Sequence, residues 1–314
     1  MKNQKDTAII ELPTWLGDSV MTTPALENIL KNKKAIRIVL IGNNLVLEVF
    51  REHPNISEFH TLKKDLFSIF KLARRLPEAS YFLSFRGSFR STILKFLIRA
   101  KYKAQFDKSK YLGKHQVEKY NLFSNEFFNI QTEPSNLKIY HERSSNANKE
   151  KKIIGINPGA SYGSAKRWYP EKFAMVVKYL SPKYTVKIFG GPNEIDISND
   201  IENFLIKFNV LDYENLAGKL SVKGLIREIS NLDLMITGDS GPMHIAAAFQ
   251  VPTVAIFGPT RYVETSQWMN SKKIILSKEL PCQPCMKRHC PLGHHDCMNK
   301  INASDVTRAV EELI

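Results

Sequence analysis

Four groups of residues in this chain have the type and spacing for chemistry. Asp239, Ser240, Gly241 and His244 lie between an apolar run that starts at Leu234 and an Ala-rich stretch that follows Pro242. N–H groups at the start of a helix lack partners within the helix and lie at the positive end of its dipole, so such a turn accepts an anion such as a diphosphate. The same residues also suit an ordinary strand–helix turn in which Asp239 or Ser240 caps the helix. Asp18 supplies a lone carboxylate after the first apolar run, where it suits a general base or a helix cap. Arg86 and Arg90 follow a third apolar run, and a guanidinium grips phosphate or carboxylate in bidentate fashion. The fourth group holds all four cysteines, Cys282, Cys285, Cys290 and Cys297, interleaved with His289, His294 and His295. Cys-x2-Cys suits zinc, but the later spacings do not repeat it. Structural metal, reduced thiols in an ordered loop and a redox role all stay open.

The elements that must position these groups follow from the apolar pattern. Leu234 onward and Thr253–Phe257 read as strands flanking the Ala-rich helix, a βαβ unit with Pro242 near the helix start. Ala8–Leu12 reads as the first strand, so Asp18 falls at a carboxyl edge of the kind where open α/β sheets place ligands. A helix is expected from about Pro24 with Thr23 as its cap, then a strand over Ile36–Ile41. Leu66–Leu76 is amphipathic and basic, and Tyr81–Phe85 reads as a strand ahead of Arg86. A helix rich in Leu, Ile and Phe follows, from Thr92 to about Ala100. Both of these basic helices read either as core packing with solvated charges or as an interfacial surface for an anionic leaflet. Residues 141–152 are polar, without apolar periodicity, and read as a linker. Strands over Ile153–Asn157 and Thr185–Phe189, helices over Pro170–Leu180 and up to about Phe208, a short strand near Val210 and a helix capped by Ser221 complete the second half. Alternating strands and helices imply parallel, doubly wound sheets, here two Rossmann-like domains facing across a cleft.

The chain of 314 residues carries a net charge of +14. Residues 1–150 hold 25 Lys and Arg against 15 Asp and Glu; residues 151–314 hold 20 against 16. The first half is therefore expected to meet an anion: a phosphorylated substrate, an acidic membrane face or nucleic acid. Zinc-finger spacing, RNP aromatics and helix-turn-helix signals are missing, so nucleic acid is not expected as a partner. No early segment resembles a signal peptide and no run approaches the roughly 20 apolar residues of a membrane span. A cytoplasmic protein is expected, in which disulfides are disfavoured.

Taken in order, Trp15–Asp18, Phe85–Ser91, Pro158–Trp168, Asn215–Gly218, Gly238–His244 and Cys290–Met298 give the chain a resemblance that covers nearly its whole length. It resembles the ADP-heptose:lipopolysaccharide heptosyltransferases, glycosyltransferase family 9, most closely the heptosyltransferase II type. The resemblance implies a GT-B fold with an acceptor-binding domain over 1–145 and a nucleotide-sugar-binding domain over 146–314, the last helix being a candidate to pack back on the first domain. It implies inverting transfer of L-glycero-D-manno-heptose from ADP-heptose to the first heptose of the inner core, on a heptosyl-Kdo-lipid A acceptor. By the same resemblance Asp18 is the base, while Lys166, Ser240, Gly241 and His244 meet the diphosphate without a metal. Asp239 is assigned to a sugar hydroxyl, Ser161 and Tyr162 to the phosphate or sugar site, and Arg86 or Arg90 to acceptor anions. Glu194 is a candidate for the ribose hydroxyls and equally suits a carboxylate at a helix N-terminus. No cofactor is expected for catalysis, with structural zinc a possibility at the four cysteines, and the location expected is peripheral on the inner-membrane face. The rival expectations are a GT-B transferase using another nucleotide sugar or the heptosyltransferase I acceptor and, more distantly, a non-catalytic nucleotide or nucleic-acid binder.

Overall fold

A computed structural model describes residues 6–63, 65–142 and 150–314. The chain divides into two compact units, Met1–Tyr140 and His141–Ile314. The boundary expected at 145/146, and most of the expected linker, lie outside the described residues.

The first unit runs β1 (Thr7–Glu11), α1 (Leu16–Met21), α2 (Thr23–Asn32), β2 (Arg37–Gly42), α3 (Asn44–Leu47), β3 (Glu58–Thr61), α4 (Leu66–Arg75), β4 (Ala79–Ser84), α5 (Phe89–Leu97), β5 (Ala100–Gln105) and α6 (Gln116–Phe128). Its five parallel strands are ordered β3-β2-β1-β4-β5. A parallel sheet needs cover on both faces, which is why Ile9, Ile10, Val39, Leu40, Phe82 and Leu83 are all fully buried. One face packs on Ile69, Leu72 and Ala73 of α4 and Leu94 of α5. The helix expected to start at a Thr23 cap begins one residue earlier. Thr22 is its N-cap, and both threonine hydroxyls donate back into α1, to the carbonyls of Ser19 and Val20. The helix expected to reach Ala100 stops at Leu97, because Ile98 turns extended and the chain enters edge strand β5.

The second unit runs β6 (Ile153–Asn157), α7 (Pro170–Leu180), β7 (Thr185–Ile188), α8 (Ile195–Lys207), β8 (Glu214–Asn215), α9 (Val222–Ser230), β9 (Leu234–Gly238), α10 (Gly241–Ala248), β10 (Thr253–Ile256), α11 (Tyr262–Thr265), β11 (Lys273–Leu276), α12 (Asp296–Asn299) and α13 (Ala303–Leu313). Its six parallel strands are ordered β11-β10-β9-β6-β7-β8, so chain order reverses between β6 and β9. Ser221 caps α9 as expected, its hydroxyl accepting from the Gly224 N–H at 3.1 Å. The strand expected near Val210 lies further on, at Glu214–Asn215. Val210 itself donates to the Leu205 carbonyl, and Asn209 (φ 55°) ends the helix in the left-handed region. The last helix, α13, packs on α7, β10 and β11 of its own unit.

Candidate functional site

Each sheet has one point where successive connections leave in opposite directions, and there the loops splay apart at the strands' carboxyl ends. In the first unit that point lies between β1 and β4. Asp18 lies in α1, just beyond the loop after β1, and the loop after β4 carries Arg86; both line one cavity of about 340 Å³ with Pro13, Thr14, Lys108, Gln116 and Tyr120. Trp15 holds the N-cap of α1, so Asp18 occupies its first turn rather than the cap. There its charge suits the helix dipole while it faces the cavity. Burial first, and then the charge of Asp18, hold the Tyr120 hydroxyl well above the usual phenol range.

Glu11, the last residue of β1, was not singled out from sequence, although a carboxylate amid Ile9, Ile10 and Leu12 is a signal that could have found it. It is fully buried, and its carboxylate accepts from Ser84 Oγ at 2.6 Å, Ser91 Oγ at 3.0 Å and Arg86 Nη1 at 3.1 Å. Burial raises its pKa, against the opposing pull of the Ser84 hydroxyl, Arg86, Ser91 and Arg90. Arg86 is thus held by one edge of its guanidinium, leaving further N–H donors of its fork for the cavity. Arg90 is turned elsewhere. Its Nη2 donates to the Lys63 carbonyl at 2.6 Å and it does not line the cavity.

In the second unit the switch lies between β6 and β9, and the loops there bring together residues far apart in sequence. Lys166 Nζ lies 2.5 Å from Asp239 Oδ2, the same oxygen that accepts from Thr260 Oγ1 at 2.7 Å. Lys166 also sits 4.7 Å from the centre of the Tyr162 ring. Thr260 went unassigned from sequence, and the Gly258-Pro259 turn just after β10 was its signal. Ser240 is the N-cap of α10, yet its hydroxyl makes no capping bond. It pairs instead with Thr237 Oγ1 and Asn157 Nδ2, each at 3.1 Å. The first turn of α10 is therefore not closed off by its own cap side chain. His244 is buried one turn further along.

Glu194 and Ser161 lie in the loops after β7 and β6. The Glu194 carboxylate accepts from the Gly191 N–H at 2.8 Å and is pressed against Gly159, where an added Cβ would come within 2.2 Å of it. Glu194 thus serves the turn ahead of α8. Ser161 lies exposed in the loop after β6.

The cysteine segment is tied to both site loops. Ala165 N donates to the Arg288 carbonyl at 3.0 Å, Tyr162 OH to the Met286 carbonyl at 2.8 Å, and Ser164 pairs with His289 at 2.9 Å. On its other side Met286 N donates to the Pro259 carbonyl and Gln283 Nε2 to that of Gly258. Gly163, at φ 156°, lies so close to Arg288 that a Cβ would fall 2.3 Å from its carbonyl oxygen. The four cysteines are unbridged, and burial, reinforced by the other three thiols, pushes Cys297 up to about 11. Among the described residues no group of three or more His, Cys, Asp or Glu side chains is arranged to hold a metal ion. No helix among the described residues is long and apolar enough to cross a membrane.

The chain has known relatives. The family described as glycosyltransferase family 9 (heptosyltransferase) matches residues 69–295. Lipooligosaccharide heptosyltransferase 2 of Campylobacter jejuni serotype O:2 is 38% identical over 311 residues, 97% of this chain and 97% of that protein. Among solved structures, a glycosyl transferase family 9 protein from Veillonella parvula superposes with TM-score 0.82 at 22% identity, covering 100% of this chain and 98% of that one. The E. coli ADP-heptose LPS heptosyltransferase II does so with TM-score 0.81 at 20% identity, covering 98% of each. At that identity the likeness speaks to fold alone: two parallel α/β units of the GT-B class. With the sequence match spanning both units and both switch-point loops, the chain belongs to glycosyltransferase family 9, the heptosyltransferases.

Proposed function

We propose that this protein transfers L-glycero-D-manno-heptose from ADP-heptose to the first heptose of the lipopolysaccharide inner core, with inversion at the anomeric carbon. The observation that carries this reading is the Lys166–Asp239–Thr260 cluster beside the first turn of α10. An ammonium group has three donors; the Asp239 carboxylate takes one and its carbonyl, at 3.4 Å, a second, which leaves a third for a phosphate oxygen. Asp239 thereby aims the charge. As the bond from the anomeric carbon to ADP breaks, negative charge grows on the diphosphate, and Lys166 with the N–H groups and dipole of α10 meets it. In this reading the stabilising charge comes from protein groups.

Inversion needs a base that removes the acceptor hydroxyl's proton as its oxygen attacks opposite the leaving group. Asp18 takes that proton, and Arg86, aimed by Glu11, binds an anionic group of the acceptor in the same cavity. The carboxylates of Kdo and the phosphates of lipid A suit the basic first unit, and a lipid-anchored acceptor implies work at the cytoplasmic face of the inner membrane. Mass spectrometry of a truncated heptosyl-Kdo acceptor incubated with ADP-heptose tests the reading. Gain of one heptose is expected; transfer from a different nucleotide sugar in a donor panel, with none from ADP-heptose, would replace it.

A further inference from the structure

Five of the exposed apolar residues of the first unit lie on α4 and α5. Phe67 is 77% exposed, Phe70 49%, Phe89 78% and Phe96 84%, and Leu66 beside them is 50% exposed. Core packing does not explain them. The inward face of α4 is Ile69, Leu72 and Ala73 and that of α5 is Leu94, all buried against the sheet. Phe67 and Phe70 are three apart and Phe89 and Phe96 seven apart, so each pair rides one stripe of its helix, away from that core. The two helices pack side by side.

Charge around this face is predominantly positive, with the exposed Glu78, paired with Arg99 at 3.4 Å, an exception. Residues 63–103 contain 11 Lys and Arg against two Asp and Glu. Lys71, Arg74 and Arg75 are exposed on α4, Arg99 follows α5, and Lys101 and Lys103 are exposed on edge strand β5 with Tyr102 between them. Like charge opposes pairing of this face with a second copy of itself. Aromatic rings ringed by Lys and Arg fit the interfacial zone of an anionic bilayer, where rings enter the headgroup–acyl boundary and cations meet lipid phosphates.

We propose that the outer face of the α4–α5 pair is the surface by which this protein docks on a bilayer of anionic phospholipid. Phe67, Phe70, Phe89 and Phe96 insert; Lys71, Arg74, Arg75, Arg99, Lys101 and Lys103 bind headgroups. The surface deepens the reading above, which supplies a lipid-anchored acceptor, but its test needs no transfer.

The test is co-flotation of the full chain with vesicles of phosphatidylethanolamine and phosphatidylglycerol, and with vesicles of phosphatidylcholine alone. Wild type binds the first and not the second. The variant Phe67→Ser/Phe96→Ser, whose sites are too exposed to disturb the core, binds at least about tenfold more weakly. Lys71→Gln/Arg74→Gln/Arg75→Gln loses about fivefold per charge removed, and its residual binding is less sensitive to salt than that of wild type. Both keep wild-type melting and wild-type transfer to a water-soluble, deacylated acceptor. Wild-type flotation by both variants would overturn the proposal. So would indifference to lipid charge, or binding to a single-stranded oligonucleotide with none to vesicles. A wild-type protein that floats but transfers nothing to the soluble acceptor supports the docking surface and counts against the function proposed above.

Discussion

The two units set similar ion pairs beside different neighbours. Each places an ion pair at its sheet's switch point, Glu11–Arg86 in the first and Lys166–Asp239 in the second. In the first unit the carboxylate is sealed (side chain 1% exposed) and the cation reaches outward (18%). In the second both partners are nearly covered, at 12% and 6%. Hydroxyls complete the carboxylate in both cases, Ser84 and Ser91 for Glu11 and Thr260 for Asp239. A buried carboxylate left partly unpaired would be strongly unfavourable, so these hydroxyls are what let each pair persist. The difference lies in the neighbour. The first pair has Asp18 beside it, which suits proton abstraction from a bound hydroxyl; the second has the start of α10, which suits holding an anion. The central claim is that acceptor chemistry and donor charge are divided this way between the units.

The sharpest way to break that division is Asp18→Asn. It is expected to lower turnover about a hundredfold or more, the scale of losing a general base, with ADP affinity untouched. Turnover near wild type, measured by ADP release, would reduce Asp18 to a helix-dipole partner.

A smaller effect is expected from Glu11→Gln, which keeps shape but removes the charge that aims Arg86. The acceptor KM should rise about tenfold, since a charge-assisted hydrogen bond is lost, while kcat and ADP affinity move little. Because Glu11 is buried, its variant should also lower the unfolding free energy by about 1–3 kcal/mol. A fall in stability without a change in acceptor KM would make Glu11 purely structural.

Acid should reveal the smallest effect. Burial pushes the Glu27 carboxyl up, but His53, Lys138 and Tyr140 outweigh it and the net shift is downward from 4.5. Glu58 behaves likewise through His60 and Arg37. With folded values below unfolded ones, the stability these groups supply is full at neutral pH and lost as pH falls through the depressed values. Glu27→Gln should therefore melt a few degrees below wild type at neutral pH, and the gap should close below pH 4.5. A gap that widens in acid would reverse the sign.

The alternation of apolar runs and helices made both doubly wound sheets legible, because strands buried on two faces have little room for polar residues. The loops after β1, β4, β6 and β9 were legible for the same reason. What stayed hidden was pairing. Lys166 and Asp239 are 73 positions apart and Glu11 and Arg86 are 75, and nothing local to either residue names its partner. The strap from Gln283 to His289 across both site loops was hidden likewise, since four of its five bonds to them end on a backbone carbonyl, which no residue type announces. Strand β5 escaped notice because it is an exposed edge, and β8 was expected too early, near Val210, because a strand of two residues leaves little pattern.

Calorimetric titration of ADP into the Lys166→Gln and Arg86→Gln proteins, beside wild type, tests the division between the units most directly. The predicted result is binding weakened about tenfold or more in Lys166→Gln and unchanged in Arg86→Gln. Equal affinity in all three proteins, or a loss confined to Arg86→Gln, would contradict it.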